Sequence, residues 1–357
     1  MNKRVVIGMS GGVDSSVAAA VLKEQGYEVV GVTMRLWDGE NINETVAEST
    51  CCSLSAVEDA RRVADNLGIE YHVLDFRKEF SEYVIDYFTN EYINGRTPNP
   101  CIVCNKFLKF DAMAKEAQLL GADYIATGHY ARVDFDEGTR RYLLKSADNA
   151  KDQTYALYSL TQEQLSKLLL PLGNFAGKEE VRSYADKIGL ITADKPDSQD
   201  ICFIPDNDYA AFIKRRIGYL PPEGDYVDQS GNILGRHKGI VNYTVGQRKG
   251  LGIAFGKPMF VTRIDAENNQ VILGEQGSEF SLSLYGKDPN FIPFDTIEEQ
   301  VKAMAKVRYS AKPAPCTISM EGDKVKVEFD TPQRAITPGQ AVVFYDGDIV
   351  IGGATII

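Results

Sequence analysis

Two stretches of this sequence carry residue types that can do chemistry a packed core does not need. In TPNPCIVCNKF, residues 97–107, Cys101 and Cys104 are separated by two residues behind a proline-rich approach. Such a pair can clasp a metal, form a redox disulfide, or place one catalytic thiol. In GMSGGVDSSV, residues 8–17, a glycine turn leads from an apolar run into a helical stretch. Glycine lets the backbone approach an anion closely, and a helix N-terminus offers free N–H groups and the positive end of its dipole. Ser10, Ser15 and Ser16 add hydroxyl donors. The loop is neither GxxxxGK[ST] nor GxGxxG. It lacks the lysine of the former, and Asp14 would repel phosphate unless it orients a metal or the loop itself.

These residues need elements to hold them. The apolar runs at 4–9, 28–34, 69–76 and 123–131 alternate with helical stretches, among them 54–68, which ends on a glycine cap. Such alternation predicts right-handed crossovers and a parallel, doubly wound α/β sheet. Beyond about residue 205 glycine, proline and aspartate become frequent, and YVDQSGNILG predicts a hairpin turning at Gly231. From about residue 277 short alternating strands follow, with tight turns at Gly322–Asp323 and Asp346–Gly347. They predict a small closed antiparallel barrel. The expected domains are therefore 1–205, 206–276 and 277–357.

The chain of 357 residues is 44% hydrophobic and 25% charged, globular and long enough for two or three domains. The N-terminus shows no apolar signal core, and no run of about 18 apolar residues predicts a membrane span. Six cysteines without framework spacing read as reduced thiols of a cytoplasmic protein. A net charge of −11 argues against a protein that simply coats nucleic acid. Residues 206–260, however, hold eight Lys/Arg against five Asp/Glu, so this segment is +3 and the remainder −14.

The pattern SGGVDS resembles the pyrophosphate loop of enzymes that cleave ATP between the α and β phosphates and transfer AMP to a substrate oxygen. Further stretches narrow the resemblance: TPNPCIVCNKFLKF, TGHYAR (127–132), KDQTYAL (151–157), DSQDICFI (197–204), HKGIVNYTVGQRKGLGI (237–253) and RAITPGQAVVFYDGD (334–348). Together, in order and over essentially the whole chain, they resemble the bacterial tRNA-specific 2-thiouridylase (MnmA) family. No glutaminase domain is present, which disfavours GMP and asparagine synthetases.

The resemblance implies an adenine nucleotide α-hydrolase-like domain, a basic connector and a tRNA-binding barrel. It implies ATP, with Mg2+, at Gly8, Met9, Ser10, Gly11, Gly12, Val13, Asp14, Ser15, Met34 and Gly128. Asn99, Pro100 and Cys101 would face the flipped-out wobble uridine, whose carbon 2 is inaccessible in a stacked anticodon. His129, Lys151, Asp152, Gln153, Arg308, Tyr309 and Gln340 would contact tRNA. Cys202 would carry a persulfide received from a cysteine desulfurase or sulfur-relay protein. Cys104 would resolve it, leaving a disulfide. Cys104, ahead of the helical stretch 105–121, is expected to gain thiolate character from that helix's N-terminus.

Cys101 stands where some members of the family carry an acid/base aspartate. A zinc site here needs two further ligands, to which Cys51 or Cys52 could contribute one. An iron–sulfur cluster on Cys101, Cys104 and Cys202 is the less favoured arrangement. Two competing functions remain from these residues: another adenylating ligase that ignores tRNA, and a non-catalytic RNA-binding module with a structural zinc.

Overall fold

The computed structural model of the chain describes residues 3–37, 54–147, 149–195, 201–253 and 256–357. Cys51, Cys52 and residues 197–200 of the DSQDICFI stretch lie outside the described residues. The chain divides into two compact units. One is drawn from Met1–Val84, Cys101–Asn207 and Asp348–Val350, the other from Ile85–Pro100, Asp208–Gly347 and Ile351–Ile357. Apart from residues 206–207 and 348–350, the segments expected as connector and barrel thus fall in one unit, together with residues 85–100.

The first unit is built on β1 (Arg4–Gly8), α1 (Val13–Glu24), β2 (Glu28–Arg35), α2 (Leu54–Leu67), β3 (Glu70–Asp75), β4 (Tyr124–Ala126), the hairpin β5 (Ala131–Asp136) and β6 (Arg141–Ser146), and β7 (Leu168–Leu169). The strand order β3-β2-β1-β4-β7 is parallel throughout. β1 lies in the middle, and its run Val5, Val6, Ile7 is fully buried, as expected of a parallel strand covered on both faces. Helix α1 packs Val17, Ala18, Ala19 and Leu22 into the same core. Helix α2 buries Ala56, Ala60, Val63 and Ala64 at helical spacing and ends at Gly68, whose φ is +59°.

The strand expected over 123–131 is split in two. Residues Tyr124–Ala126 join the parallel sheet, the chain then loops through Thr127–Tyr130, and Ala131 begins an antiparallel hairpin with β6. The break has a steric cause. A Cβ on Gly128 would lie 2.9 Å from the Ser15 nitrogen, so the chain turns aside against the start of α1.

In the second unit, β8 (Gly224–Asp228) and β9 (Ile233–His237) form the predicted hairpin, with Gly231 at φ +84°. With β10 (Met259–Asp265) and β11 (Gln270–Glu275) they make a four-stranded sheet, order β10-β11-β8-β9, over a core of Tyr226, Val261, Val271 and Leu273. Strands β12 (Phe280–Phe291), β13 (Val301–Lys306), β14 (Ala314–Glu321), β15 (Lys324–Arg334), β16 (Ala341–Asp346) and β17 (Ile349–Ile356) follow in the order β12-β15-β14-β13-β16-β17. β12 also pairs with β17, closing six antiparallel strands into a barrel. Alternate residues fill it: Cys316 opposes Phe329, and Ile318 opposes Val327, all buried. No helix of the described residues is long and apolar enough to cross a membrane.

Candidate nucleotide loop and thiol site

In an open parallel sheet, ligands bind beyond the carboxyl ends of the strands, where the strand order reverses. Here the order reverses between β1 and β4, because the chain goes from β1 to β2 on one side and returns to β4 on the other. The loop after β1, residues 9–12, and the loop after β4, Thr127–Tyr130, flank that crevice. Three hydrogen bonds brace the crevice: Met9 N–H to Val32 O (2.7 Å), Thr33 Oγ1 to Met9 O (2.7 Å) and Tyr71 OH to Thr33 Oγ1 (2.7 Å). Met34, expected beside adenine, is half-buried near the carboxyl end of β2.

Of the loop's two glycines, Gly11 is sterically required. Gly11 has φ +68°, and a Cβ there would meet Ala56 O at 2.2 Å. Of the three hydroxyls expected as outward donors, Ser10 is exposed, while Ser15 and Ser16 turn inward and are buried. Ser15 Oγ accepts from Ser10 N–H at 3.1 Å, and Ser16 Oγ donates to Gly12 O at 2.8 Å. They fold the loop rather than line it, leaving the main-chain N–H groups at the start of α1 as its anion donors.

The cations missing from the loop's own sequence arrive from far along the chain. Lys178 Nζ bonds Asp14 Oδ2 at 2.7 Å, and Tyr130 OH donates to Asp14 Oδ1 at 2.6 Å. Both carboxylate oxygens are thereby held, and the ammonium offsets the charge next to the loop. Lys195 Nζ donates to Gly11 O at 3.0 Å and pairs with Asp59 Oδ2 at 2.8 Å. Arg182 fixes that lysine's backbone, donating to Ala193 O at 2.6 Å and Lys195 O at 2.8 Å. Sequence reasoning named none of these four residues. Tyr130 lies within the quoted TGHYAR and Lys195 stands just before DSQDICFI, but nothing in the sequence signals Lys178 or Arg182.

Several residues expected to touch RNA prove to have internal partners. Gln153 accepts from Tyr130 N–H at 3.0 Å and donates its own N–H to Tyr130 O at 2.9 Å, so it aims the tyrosine that holds Asp14. Asp152 accepts from Ala147 N–H at 3.1 Å and from the Thr154 hydroxyl at 2.7 Å. His129 shares a hydrogen bond with Thr127 Oγ1 at 2.7 Å and sits 6.0 Å from the Phe110 ring. Burial first, and the nearby Lys109 charge second, hold its pKa well below the usual value, so the imidazole is neutral. Lys151 is exposed.

The thiols stand differently from expectation. The helix begins at Pro100, which needs no N–H in a first turn, so Cys104 does not precede a helix but lies inside a helical run over 100–119. Cys101 therefore occupies the first turn, where the N-terminal field is strongest, and Cys104 sits about one turn deeper. Cys101 is exposed and Cys104 half-buried, three positions apart on one helix face. Asn105, buried beside them, donates to Ala156 O at 2.9 Å and ties this run to the Thr154–Ala156 turn. Cys202 is half-buried, and its neighbour Phe203 packs edge-on against Phe80 at 5.5 Å. Cys101, Cys104 and Cys202 are all outside disulfides. No group of three or more His, Cys, Asp or Glu is placed to hold a metal ion among the described residues.

The remaining candidates belong to the second unit. Asn99 is half-buried and Pro100 buried. Gln340 Nε2 donates to Thr97 O at 2.8 Å, and Thr97 N–H donates to Pro338 O at 2.9 Å, so this glutamine holds the loop that leads to Asn99. Thr97 Oγ1 also reaches Thr244 Oγ1 at 3.2 Å, at the start of the turn carrying the exposed Arg248 and Lys249. Arg308 and Tyr309 are exposed after β13, with Lys306 Nζ 5.8 Å from the Tyr309 ring. Of the eight cations of residues 206–260, Arg216 pairs with Asp86, Arg236 with Asp225 and Lys257 with Glu275.

Three family profiles match the chain in order: a tRNA methyl transferase HUP domain over residues 3–206, a tRNA methyl transferase PRC-barrel domain over 210–275, and an aminomethyltransferase beta-barrel domain over 281–356. A tRNA-specific 2-thiouridylase MnmA of Acetivibrio thermocellus is 58% identical over 356 residues, covering 99% of each chain. Its namesake in Clostridioides difficile is 59% identical, covering 100% of this chain and 98% of its own. The Clostridium acetobutylicum protein of the same name is 57% identical and covers 100% of both. With identity this high running from end to end, the chain belongs to the tRNA-specific 2-thiouridylase (MnmA) family.

Proposed function

We propose that the protein is an ATP-dependent tRNA sulfurtransferase that converts the carbon-2 carbonyl of the wobble uridine to a thiocarbonyl. The observation that carries the ATP half is the loop at the sheet's switch point, with its free N–H groups and the Lys178–Asp14 pair. The curated relatives' shared name supplies the substrate class. MgATP is a substrate here, and magnesium bound through phosphates and water needs no protein cage.

The uracil oxygen attacks the α-phosphate and pyrophosphate leaves, making that oxygen part of a good leaving group. A persulfide on Cys202, loaded by a cysteine desulfurase or relay protein, supplies the sulfur. Its terminal sulfur bonds carbon 2, and AMP departs with the former carbonyl oxygen. Cys104, as thiolate, attacks the inner sulfur of Cys202, and the S–S bond to the transferred sulfur breaks. The Cys104–Cys202 disulfide left behind needs an external dithiol or thiol reductant before the next turnover. Cys101, in the first helical turn, is suited to proton transfer beside the base.

Exposed Lys151, Arg308, Tyr309, Arg248 and Lys249 supply phosphate and stacking contacts to the RNA. The protein works in the cytoplasm. The test is mass spectrometry of tRNA nucleosides after incubation with ATP, magnesium, cysteine and a cysteine desulfurase. 2-Thiouridine at the wobble position is expected; its absence, with pyrophosphate released from ATP and a small amine joined to an adenylated substrate instead, would favour an ordinary adenylating ligase.

A further inference from the structure

Two short segments of the described residues are π-helical, Ser81–Ile85 and Asn105–Ala112. Well under about 1% of residues in soluble proteins adopt this conformation, and it concentrates at functional sites. The two segments meet. Tyr83 of the first lies face to face on Phe107 of the second, with ring centroids 5.1 Å apart and planes 14° apart. Tyr83 is 45% exposed, so the ring's outer face is open to solvent.

The stack continues the thiol row. Ile102, Asn105 and Leu108 are buried at three-residue spacing, and Cys101, Cys104 and Phe107 form the adjacent row, exposed or half-buried. Exposed Lys106 places its Nζ 5.2 Å from the Phe107 ring centroid, and Lys115, on the same run, pairs with Asp111 at 2.9 Å. An open aromatic plane beside a cation, here Lys106, is the arrangement that stacks an unpaired base and neutralises its phosphate. A protein partner's apolar patch would gain little from the adjacent charges.

We propose that the Tyr83–Phe107 stack is a base-stacking subsite that takes an unpaired nucleotide next to the one presented to Cys104. Lys106 contacts that nucleotide's phosphate. The subsite rests on the proposed action on tRNA. It would hold the loop open in single-stranded form, so that extrusion of the target uridine is shared with a neighbour.

The test uses the full chain and an anticodon stem–loop RNA carrying 2-aminopurine on either side of the target uridine in turn. Stacking should quench the fluorophore on one side. Tyr83→Leu and Phe107→Leu should each abolish the quench and weaken RNA affinity about tenfold. Tyr83→Trp should retain both, and ATP affinity should match the unsubstituted protein in all three as the check on folding. Quenching that survives Tyr83→Leu, or unchanged RNA affinity, overturns the subsite. Loss of sulfur uptake from the desulfurase with intact RNA affinity also overturns it, by assigning the surface to a protein. If the unsubstituted chain thiolates no RNA, the function itself fails. If it does so and Tyr83→Leu is indistinguishable, only the subsite fails.

Discussion

Lys178 Nζ lies 2.7 Å from Asp14 Oδ2, a pairing across 164 positions of sequence. It places a cation beside the aspartate of a loop whose own sequence contains no lysine. The side chains are 13% and 33% exposed, which makes the pair stronger than a fully solvated one.

Removing that cation leaves Asp14 uncompensated next to bound phosphates. Lys178→Ala is expected to raise the Kd for ATP roughly 10- to 100-fold, the range of about 1.4–2.8 kcal/mol for a charge-assisted contact. Lys178→Arg should recover most of the loss. Isothermal titration with ATP reads it, and wild-type affinity in the alanine variant would refute the role.

Gly11 and Gly128, one in each of the two loops that flank the crevice, report steric fit. Gly128→Ala puts a Cβ 2.9 Å from the Asp14 carbonyl carbon and the Ser15 nitrogen, and Gly11→Ala puts one 2.2 Å from Ala56 O. Each should lower stability by about 1–3 kcal/mol and abolish ATP binding. Gly26, at φ +86° with nothing within 4 Å, is the control. Gly26→Ala should cost only about 1–2 kcal/mol of left-handed strain and leave ATP binding intact. Denaturant melts paired with titration separate the two effects.

The thiols should divide by position. Cys104→Ala and Cys202→Ala are each expected to abolish thiolation while ATP and tRNA binding persist. Undiminished turnover in either would refute the assignment. Cys316 is the internal reference: burial raises its pKa to about 12 and its Sγ lies 3.4 Å from Ala303 O. At pH 8 it should resist alkylation that reaches exposed Cys101 within minutes, as peptide mapping would show.

His129 gives a pH signature. Its folded pKa is depressed, chiefly by burial, so below about pH 6.5 the unfolded chain binds a proton that the folded chain refuses. Stability is therefore lost as pH falls through the unfolded value, by up to about 1.4 kcal/mol per pH unit. His129→Asn should flatten that part of the melting-temperature profile between pH 6.5 and 5. An unchanged slope would show that the imidazole is not neutral in the fold.

Much of this was legible because it is local. Apolar runs flanking a glycine turn dictate a buried strand, a tight loop and a helix, and β1, α1 and β2 fall where the pattern puts them. Dipeptides such as Gly322–Asp323 admit few backbone conformations, so the hairpin turns of the barrel were also readable. The motif strings identified the family because their order and spacing are set by one linear chain.

What the sequence could not give is partnership across distance. Nothing in residues 10–16 announces Lys178, Lys195 or Arg182, because a charge finds its partner only once the sheet has brought separate segments to one edge. The same holds for the inward turn of Ser15 and Ser16, for the helix that begins at Pro100 and so moves the first-turn position from Cys104 to Cys101, and for the contact of Tyr83 with Phe107. Sequence by itself determined which residues could do the chemistry. The tertiary structure decided which of them face outward, because burial and hydrogen-bond satisfaction are properties of the packed chain and not of any stretch of it.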